Sequence, residues 1–127
     1  MSGYVTDIEE KTENNQNFRQ VLFTAPHSQL VMMSLLPNEE IGTETHSDVD
    51  QFLRIEEGEG KAILDGQESA LKNGSAVVVP AGVEHNIVNT SGEKPLKLYT
   101  IYSPAEHRDG TIHKTKAEAQ ADTTDHI

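Results

Sequence analysis

Apolar and β-branched residues cluster along the chain in short runs, which is the pattern of β-strands rather than of long helices. The runs cover residues 18–23, 29–36, 51–56, 61–64, 76–79, 85–88 and 96–102. Turn-forming pairs such as Asp65-Gly66 and Asn73-Gly74 separate them. Many short strands at close spacing predict an all-β domain, built as an antiparallel barrel or sandwich.

The two ends of the chain lack this pattern. Residues 1–16 and 121–127 are polar and show no clear periodicity, so we expect them to be frayed or to lie over the surface. One short helix is predicted over residues 114–120, where Thr115 and Glu118 have the spacing of a capping box. The predicted organisation is a polar segment 1–16, one β domain over 17–113, and a helix with its tail over 114–127.

Composition narrows the class of partner. A chain of 127 residues matches one domain and leaves no room for a separate cofactor domain. A net charge of −11 disfavours nucleic acid and anionic membrane surfaces as partners. The chain has no basic leader and no run of ~20 apolar residues, so a cytoplasmic protein is expected. Without cysteine, any metal must be held by His, carboxylate or amide groups.

Residues 74–89 predict a hairpin that carries one imidazole into the domain. An apolar run ends at Pro80, turns at Gly82 and re-enters as a strand near His85. Because strand side chains alternate, His85 shares its face with Ile87 and points inward if Ile87 is part of the core. A lone inward histidine is usually a structural one bonded to a backbone carbonyl, so its polar neighbours decide its role.

Three further polar groups are predicted to face the same interior. Glu44 and His46 lie two residues apart and are therefore on one side of an extended chain. Gln51 is in phase with Leu53, on the apolar side of the next strand, where its amide needs a hydrogen-bond partner or a metal. The candidate metal ligands are therefore Glu44, His46, Gln51 and His85.

The same residues resemble the two motifs of the cupin superfamily, in particular its small single-domain bacterial members of cupin type 2. The second cupin motif is met in full, at the family's spacing, by Gly74, Pro80, Gly82, His85 and Asn89. The first motif is met in part: Glu44 precedes His46 where the family has a first histidine, and Gln51 stands where it has a glutamate. Gly58 closes this motif, and Asn38 replaces its opening glycine. The resemblance implies a jelly-roll-like cupin β-barrel that binds a divalent transition metal.

The two departures from the cupin pattern cancel in charge. Three histidines and a glutamate bring one negative charge to an ion, and so do two histidines, Glu44 and Gln51. Two imidazoles and one carboxylate are also the ligand set of non-haem iron oxygenases, while Mn, Ni, Co, Cu and Zn suit the same donors. Alternatives remain at each weaker position: Gln51 could hold a water or substrate oxygen, and Glu44 could be a solvated strand-end carboxylate. Asp48 or Asp50 could then replace Glu44.

The remaining histidines are expected at the surface. They are His27, His107, His113 and His126, which fall in predicted loops or in the tail. Residues 39–59 are rich in acidic side chains and flank the predicted site, which favours a small neutral or cationic ligand over a phosphorylated one.

These observations leave two functions open. The first is a metalloenzyme of isomerase, lyase or dioxygenase type, in which an inward polar group such as Tyr99 or Gln51 assists the ion. The second is a metal-dependent barrel that binds or senses a small molecule or sugar without turnover. A homodimer is expected from the cupin resemblance and from Phe52, an outward aromatic residue among polar neighbours.

Overall fold

A computed structural model describes residues 2–127 and confirms the all-β class. In chain order its elements are α1 (Ile8–Asn14), β1 (Arg19–Thr24), β2 (Gln29–Leu35), β3 (Asp50–Glu57), β4 (Gly60–Leu64), β5 (Gln67–Leu71), β6 (Ala76–Val79), β7 (His85–Asn89), β8 (Leu96–Ser103), β9 (Ile112–His113) and α2 (Lys116–Ala121).

The strands form two antiparallel sheets around one core. The larger sheet has the order β6-β3-β8-β2-β1-β9, and the smaller has the order β5-β4-β7. The inward side chains of both sheets meet in a single apolar cluster, which includes Val31, Met33, Leu53, Ile55, Ile87 and Leu98. Alternation of buried and half-buried side chains along β3 and β8 follows from the two-residue period of a strand. This is the predicted jelly-roll-like barrel.

All seven predicted strand runs are present, and two further strands are found. β5 was not predicted because four of its five side chains are exposed, so its sequence has no apolar face. Backbone pairing along its whole length with β4 holds it at the sheet edge. β9 has only two residues and pairs with β1 through Arg19 and Gln20.

The N-terminal segment corrects the expectation of a frayed end. Residues 8–14 form α1, whose first turn is capped by the Asp7 carboxylate accepting from the Glu10 amide at 3.1 Å. A helix of seven residues is marginal alone, and α1 is stabilised by packing on β2, β3 and β8. At the C-terminal end of α1, the buried Lys97 ammonium donates to the carbonyl of the capping residue Asn15.

The C-terminal segment contains the predicted helix but is not frayed beyond it. In α2 the Thr115 hydroxyl accepts from the Glu118 amide at 3.1 Å, which confirms the predicted cap. After α2 the chain returns to the barrel, where the Ile127 amide donates to the Glu106 carbonyl at 3.0 Å and Asp125 is 2% exposed. Within residues 2–127, neither helix is long and apolar enough to cross a bilayer.

Candidate metal centre

The turn before β7 fixes where His85 enters the barrel. Gly82 has a φ of +86°, a conformation that residues with a Cβ rarely adopt. The carboxylate of Asp50 accepts from the Ala81 amide at 2.8 Å and ties this turn to the start of β3. As the strand period predicted, His85 and Ile87 are both buried on the inner face.

Asn89 holds the other end of β7 by a set of buried hydrogen bonds. Its side-chain amide donates to the carbonyls of Leu35, Leu36 and Lys94 at 3.2, 3.0 and 2.9 Å. Its side-chain oxygen accepts from the Ser91 amide at 2.9 Å. An asparagine at this position therefore joins β2, β7 and the turn before β8.

Backbone pairing brings Glu44 beside His85. The amide of each residue donates to the carbonyl of the other at 2.9 Å, forming an isolated antiparallel bridge. The side chain of Glu44 then lies beside His46, with 3.2 Å between its Oε2 and the His46 Nε2. The ring centres of His46 and His85 are 5.1 Å apart. Three of the four predicted ligands are thus immediate neighbours.

Both imidazoles are oriented through their Nδ1 atoms. Nδ1 of His85 donates to the Val83 carbonyl at 2.9 Å, which leaves its Nε2 as the lone-pair nitrogen. Nδ1 of His46 lies 3.4 Å from a carboxylate oxygen of Glu106. Histidine ligands of metals commonly have their second nitrogen held by a carbonyl or carboxylate in this way.

The side-chain oxygen of Gln51 is positioned to bind a metal ion. Its side chain is 4% exposed, and its Nε2 donates to the Thr100 hydroxyl at 3.0 Å. Its Oε1 is buried and has no hydrogen-bond partner among the described residues. A buried acceptor left unpaired costs ~1–3 kcal/mol, so a ligand that binds this oxygen is favoured. An amide oxygen is a suitable donor for a divalent cation.

A small cavity joins three of the four candidate ligands, and His46 lies outside its lining. Its volume is about 10 Å³, and its polar lining includes Glu44, Gln51, His85 and Tyr102. A cavity of about this volume accommodates a single water molecule. Together with the unpaired Gln51 oxygen, it fits one ion held by groups from β3, β7 and the segment before β3.

The position of Tyr99 is corrected by the structure. On β8 the inward side chains are those of Leu98, Thr100 and Tyr102, and Tyr99 points to the opposite face of the sheet. There it packs near Phe52, with 6.4 Å between the ring centres. Tyr102 is the tyrosine that lines the cavity, because residues three apart on a strand face opposite sides.

Burial and neighbouring charges shift the pKa values of three groups at the site. Burial by itself would raise the pKa of Glu44. The hydrogen bond to His46 and the charges of His46 and Arg19 have the larger combined effect, so the pKa of Glu44 is lowered. The hydrogen bond to Glu44 in turn raises the pKa of His46 against the effect of burial. Burial raises the pKa of Tyr102, so its hydroxyl stays protonated at neutral pH.

The expectation of a surface position is wrong for two of the remaining histidines. His107 is 1% exposed and its Nδ1 lies 2.8 Å from Asp125. His113 is 4% exposed and its Nε2 lies 3.0 Å from Asp122. These partners come from the returning tail, so sequence position alone gave no sign of them. His27 is exposed as expected.

His126 is half exposed but is also paired. Its Nδ1 lies 2.6 Å from Glu106, the residue that contacts His46 through its other carboxylate oxygen. Among residues 2–127, the sets of three His or Asp side chains with ligand atoms within 4.8 Å of one another are His107, Asp125 and His126, and His113, Asp122 and Asp125. The predicted ligands Glu44, His46 and His85 form no set this tight. Direct hydrogen bonds within both tail sets attach the tail to the barrel.

Arg19 is a residue of this region that the sequence analysis did not select. It lies at the start of β1, in phase with the buried Val21, and is 5% exposed. One guanidinium nitrogen lies 3.4 Å from Nδ1 of His113. The sequence did contain one indication of this residue, because Arg19 is a charged residue at an inward position of the first predicted strand.

The relatives of this chain define the class of protein to which it belongs. The family described as Cupin domain matches residues 31–102, the stretch from β2 to β8 that contains all four candidate ligands. The chain belongs to the cupin family, whose members commonly bind a metal ion.

Individual relatives cover most of this chain. The protein YrkC of Bacillus subtilis is 47% identical over an alignment of 124 positions, and the match covers 93% of this chain and 66% of YrkC. The protein L612 of Acanthamoeba polyphaga mimivirus is 46% identical over an alignment of 112 positions, and the match covers 86% of this chain and 70% of L612. The chain thus spans about two thirds of the length of these relatives. The crystal structure of BH2720 from Bacillus halodurans is similar with a TM-score of 0.91 and 42% identity, over 94% of each chain.

Proposed function

We propose that this protein is a metal-dependent cupin enzyme that acts on a small organic molecule. The ion is held by Glu44, His46, Gln51 and His85. The observation that carries the proposal is the unpaired, buried Oε1 of Gln51 beside a cavity of single-ion size. The Nδ1 of His85, held by the Val83 carbonyl, supports it, because the Nε2 of His85 is left for the ion. The Nε2 of His46 would exchange its contact with Glu44 for the ion.

The bound ion, Glu44 and Tyr102 have distinct roles in the proposed chemistry. When bound, a divalent ion supplies Lewis-acid or oxygen-activating chemistry, which suits isomerase, lyase or dioxygenase reactions. Nitrogen and oxygen donors of this kind accept Fe, Mn, Ni, Co, Cu or Zn. Glu44 contributes the one carboxylate charge, and Tyr102 is a protonated hydrogen-bond donor at the cavity wall.

Elemental analysis of the purified protein tests this proposal. We expect about one transition-metal ion per chain, and loss of that ion in His85→Ala. Iron or copper would indicate oxygen chemistry, whereas zinc would indicate an isomerase or lyase. His27→Ala, which removes an exposed histidine, is the matched control and should keep the ion. If the wild type bound none of the six metals, even after dialysis against each, the proposal would be wrong.

A non-catalytic binding barrel is the second candidate, and one observation favours it. Beyond the proposed ligands, the polar side chains at the small cavity are Asn86 and Tyr102. The Asn86 oxygen already accepts from the Gly42 amide at 2.9 Å, and Tyr102 keeps its proton. The cavity therefore offers no free base besides Glu44. A metal-loaded protein that binds small molecules but converts none of them would favour this alternative.

A further inference from the structure

We propose that a second cavity, next to the metal centre, binds a small organic carboxylate through Arg19. This inference rests on the proposed function in naming the class of its ligand. The cavity has a volume of about 240 Å³ and lies between β1, the segment around Glu44, and α2 with the tail. Its polar and charged lining comprises Arg19, Glu44, Lys116, Gln120, Asp122 and His126.

The guanidinium of Arg19 is buried without an anionic partner. Among residues 2–127, no carboxylate oxygen lies within 4.0 Å of its nitrogens. Its Nε is buried and makes no hydrogen bond. Arginine does not lose its proton in proteins, and an isolated buried charge is strongly unfavourable. An anion in the adjoining cavity would supply the missing partner.

The surrounding residues hold the guanidinium in place while leaving this edge free. Nδ1 of His113 lies 3.4 Å from one terminal nitrogen of Arg19, and Nε2 of His113 lies 3.0 Å from Asp122. The Phe18 ring lies 5.3 Å from the guanidinium carbon. The carboxylate of Asp122 is therefore engaged with His113, and the His113 imidazole lies between it and Arg19. This arrangement orients Arg19 and leaves its Nε unpaired.

Glu44 is not the missing partner of Arg19. Its carboxylate is directed to His46 at 3.2 Å, and binding of an ion would direct its charge to that ion. Glu44 lines both the small cavity and the larger one, so a ligand on Arg19 lies beside the metal centre. Lys116, on α2, adds a second cation to the lining.

The class of ligand follows from this chemistry and from the cavity size. Pockets for drug-sized ligands have volumes of ~300–1,000 Å³, so a 240 Å³ cavity takes an acid of a few carbons. The ligand proposed here is anionic, whereas the acidic residues 39–59 predict a neutral or cationic one. In that stretch Glu57 and Glu59 line a groove at the end of β3 opposite to Gln51, and Asp48 and Asp50 are exposed.

Propionate and propionamide form a suitable probe pair, because they have nearly the same shape and differ in charge. Neither chelates metals strongly, so the test can be run on metal-free and metal-loaded protein. In ¹⁵N-edited NMR titrations of wild type, we expect saturable shifts with propionate at the amides of residues 18–20, 43–45 and 116–122. Propionamide should produce no such shifts. The same titration yields the dissociation constant.

Variants then assign the effect to Arg19. We expect Arg19→Gln to weaken propionate binding at least ~10-fold, because a charge-assisted hydrogen bond is lost. Arg54→Gln is the matched control: Arg54 is 42% exposed on the outer face of the sheet and should leave binding unchanged. Equal binding of propionamide by wild type, or undiminished propionate binding by folded Arg19→Gln, would overturn the inference. The first comparison needs no variant and holds even if Arg19→Gln does not fold.

The propionate titration and the metal analysis test two different proposals, so each can fail without the other. Metal uptake by wild type without any propionate binding would contradict only the carboxylate site. Propionate binding through Arg19 by a protein that takes up no metal would support the anion site and contradict the proposed metalloenzyme.

Discussion

Nδ1 of His46 lies 3.4 Å from Oε1 of Glu106, which links a candidate metal ligand to the segment that follows β8. The other oxygen of Glu106 lies 2.6 Å from Nδ1 of His126, near the end of the chain. The tail therefore contacts the carboxylate that lies beside this candidate ligand. Through this contact the tail would contribute to the proposed metal site without providing a proposed ligand itself.

We predict that Glu106→Gln weakens metal binding by ~10–100-fold, because the carboxylate that orients a ligand histidine is lost. Competition with a chelating dye would measure the affinity. Glu59→Gln, an exposed change in the turn between β3 and β4, is the control and should have no effect. Equal affinities for the two variants would show that Glu106 does not position His46.

We predict that His46→Ala and His85→Ala each abolish metal binding, whereas Gln51→Ala only weakens it. An imidazole is a strong neutral donor, while water can replace an amide oxygen. A bound ion also links several strands, so it should raise the melting temperature of the wild type by mass action. That increment should vanish in both histidine variants. Full metal occupancy in His46→Ala would exclude the Glu44–His46 segment from the ligand set.

Stability is predicted to fall as the pH decreases from about 6.5 to about 4. Burial, with the charge of Arg19, lowers the pKa of His107 from 6.5 to about 4. In this range the unfolded chain binds a proton at His107 and the folded protein does not, so acid favours unfolding. The loss approaches ~3 kcal/mol at most. Urea unfolding at several pH values would measure it. His107→Asn should be less stable at pH 7 and show a shallower decline; an unchanged decline would contradict this origin.

We predict that Asn89→Ala destabilises the fold by ~2–4 kcal/mol. The change removes four hydrogen bonds and leaves carbonyls of Leu35, Leu36 and Lys94 without this donor. Asn73→Ala, in an exposed turn, is the control for loss of an asparagine amide. Denaturant midpoints of both variants would decide the point. A loss below ~1 kcal/mol for Asn89→Ala would mean that water replaces its hydrogen bonds.

The homodimer stays a prediction. Val78, Phe52 and Ile101 are paired across three strands on the outer face of the larger sheet, and Val78 is 63% exposed. A second copy of the chain would cover this apolar row. Size-exclusion chromatography with light scattering should then give twice the chain mass of 14.0 kDa, and Val78→Lys should reduce it. A mass of one chain at micromolar concentration would reject the dimer.

Features that depend on local spacing could be predicted from the amino-acid sequence. Strand runs were predicted because side chains alternate with period two, and the inward positions of Gln51 and His85 followed from their apolar neighbours. The cap of α2 was predictable because Thr115 and Glu118 are three residues apart. The resemblance to the cupin motifs made it possible to predict the barrel, because the fixed spacing of these motifs places turns and strand ends where this fold requires them.

Features that join distant parts of the chain could not be predicted, because they depend on how the strands and the tail pack together. Arg19 meets His113 across 94 positions, and His107 meets Asp125 because the tail returns to the barrel. Local sequence carries no record of such contacts, so polar tail residues were interpreted as surface residues. α1 and β5 likewise depend on the sheets they pack against or pair with, since short helices and polar edge strands are not stable alone.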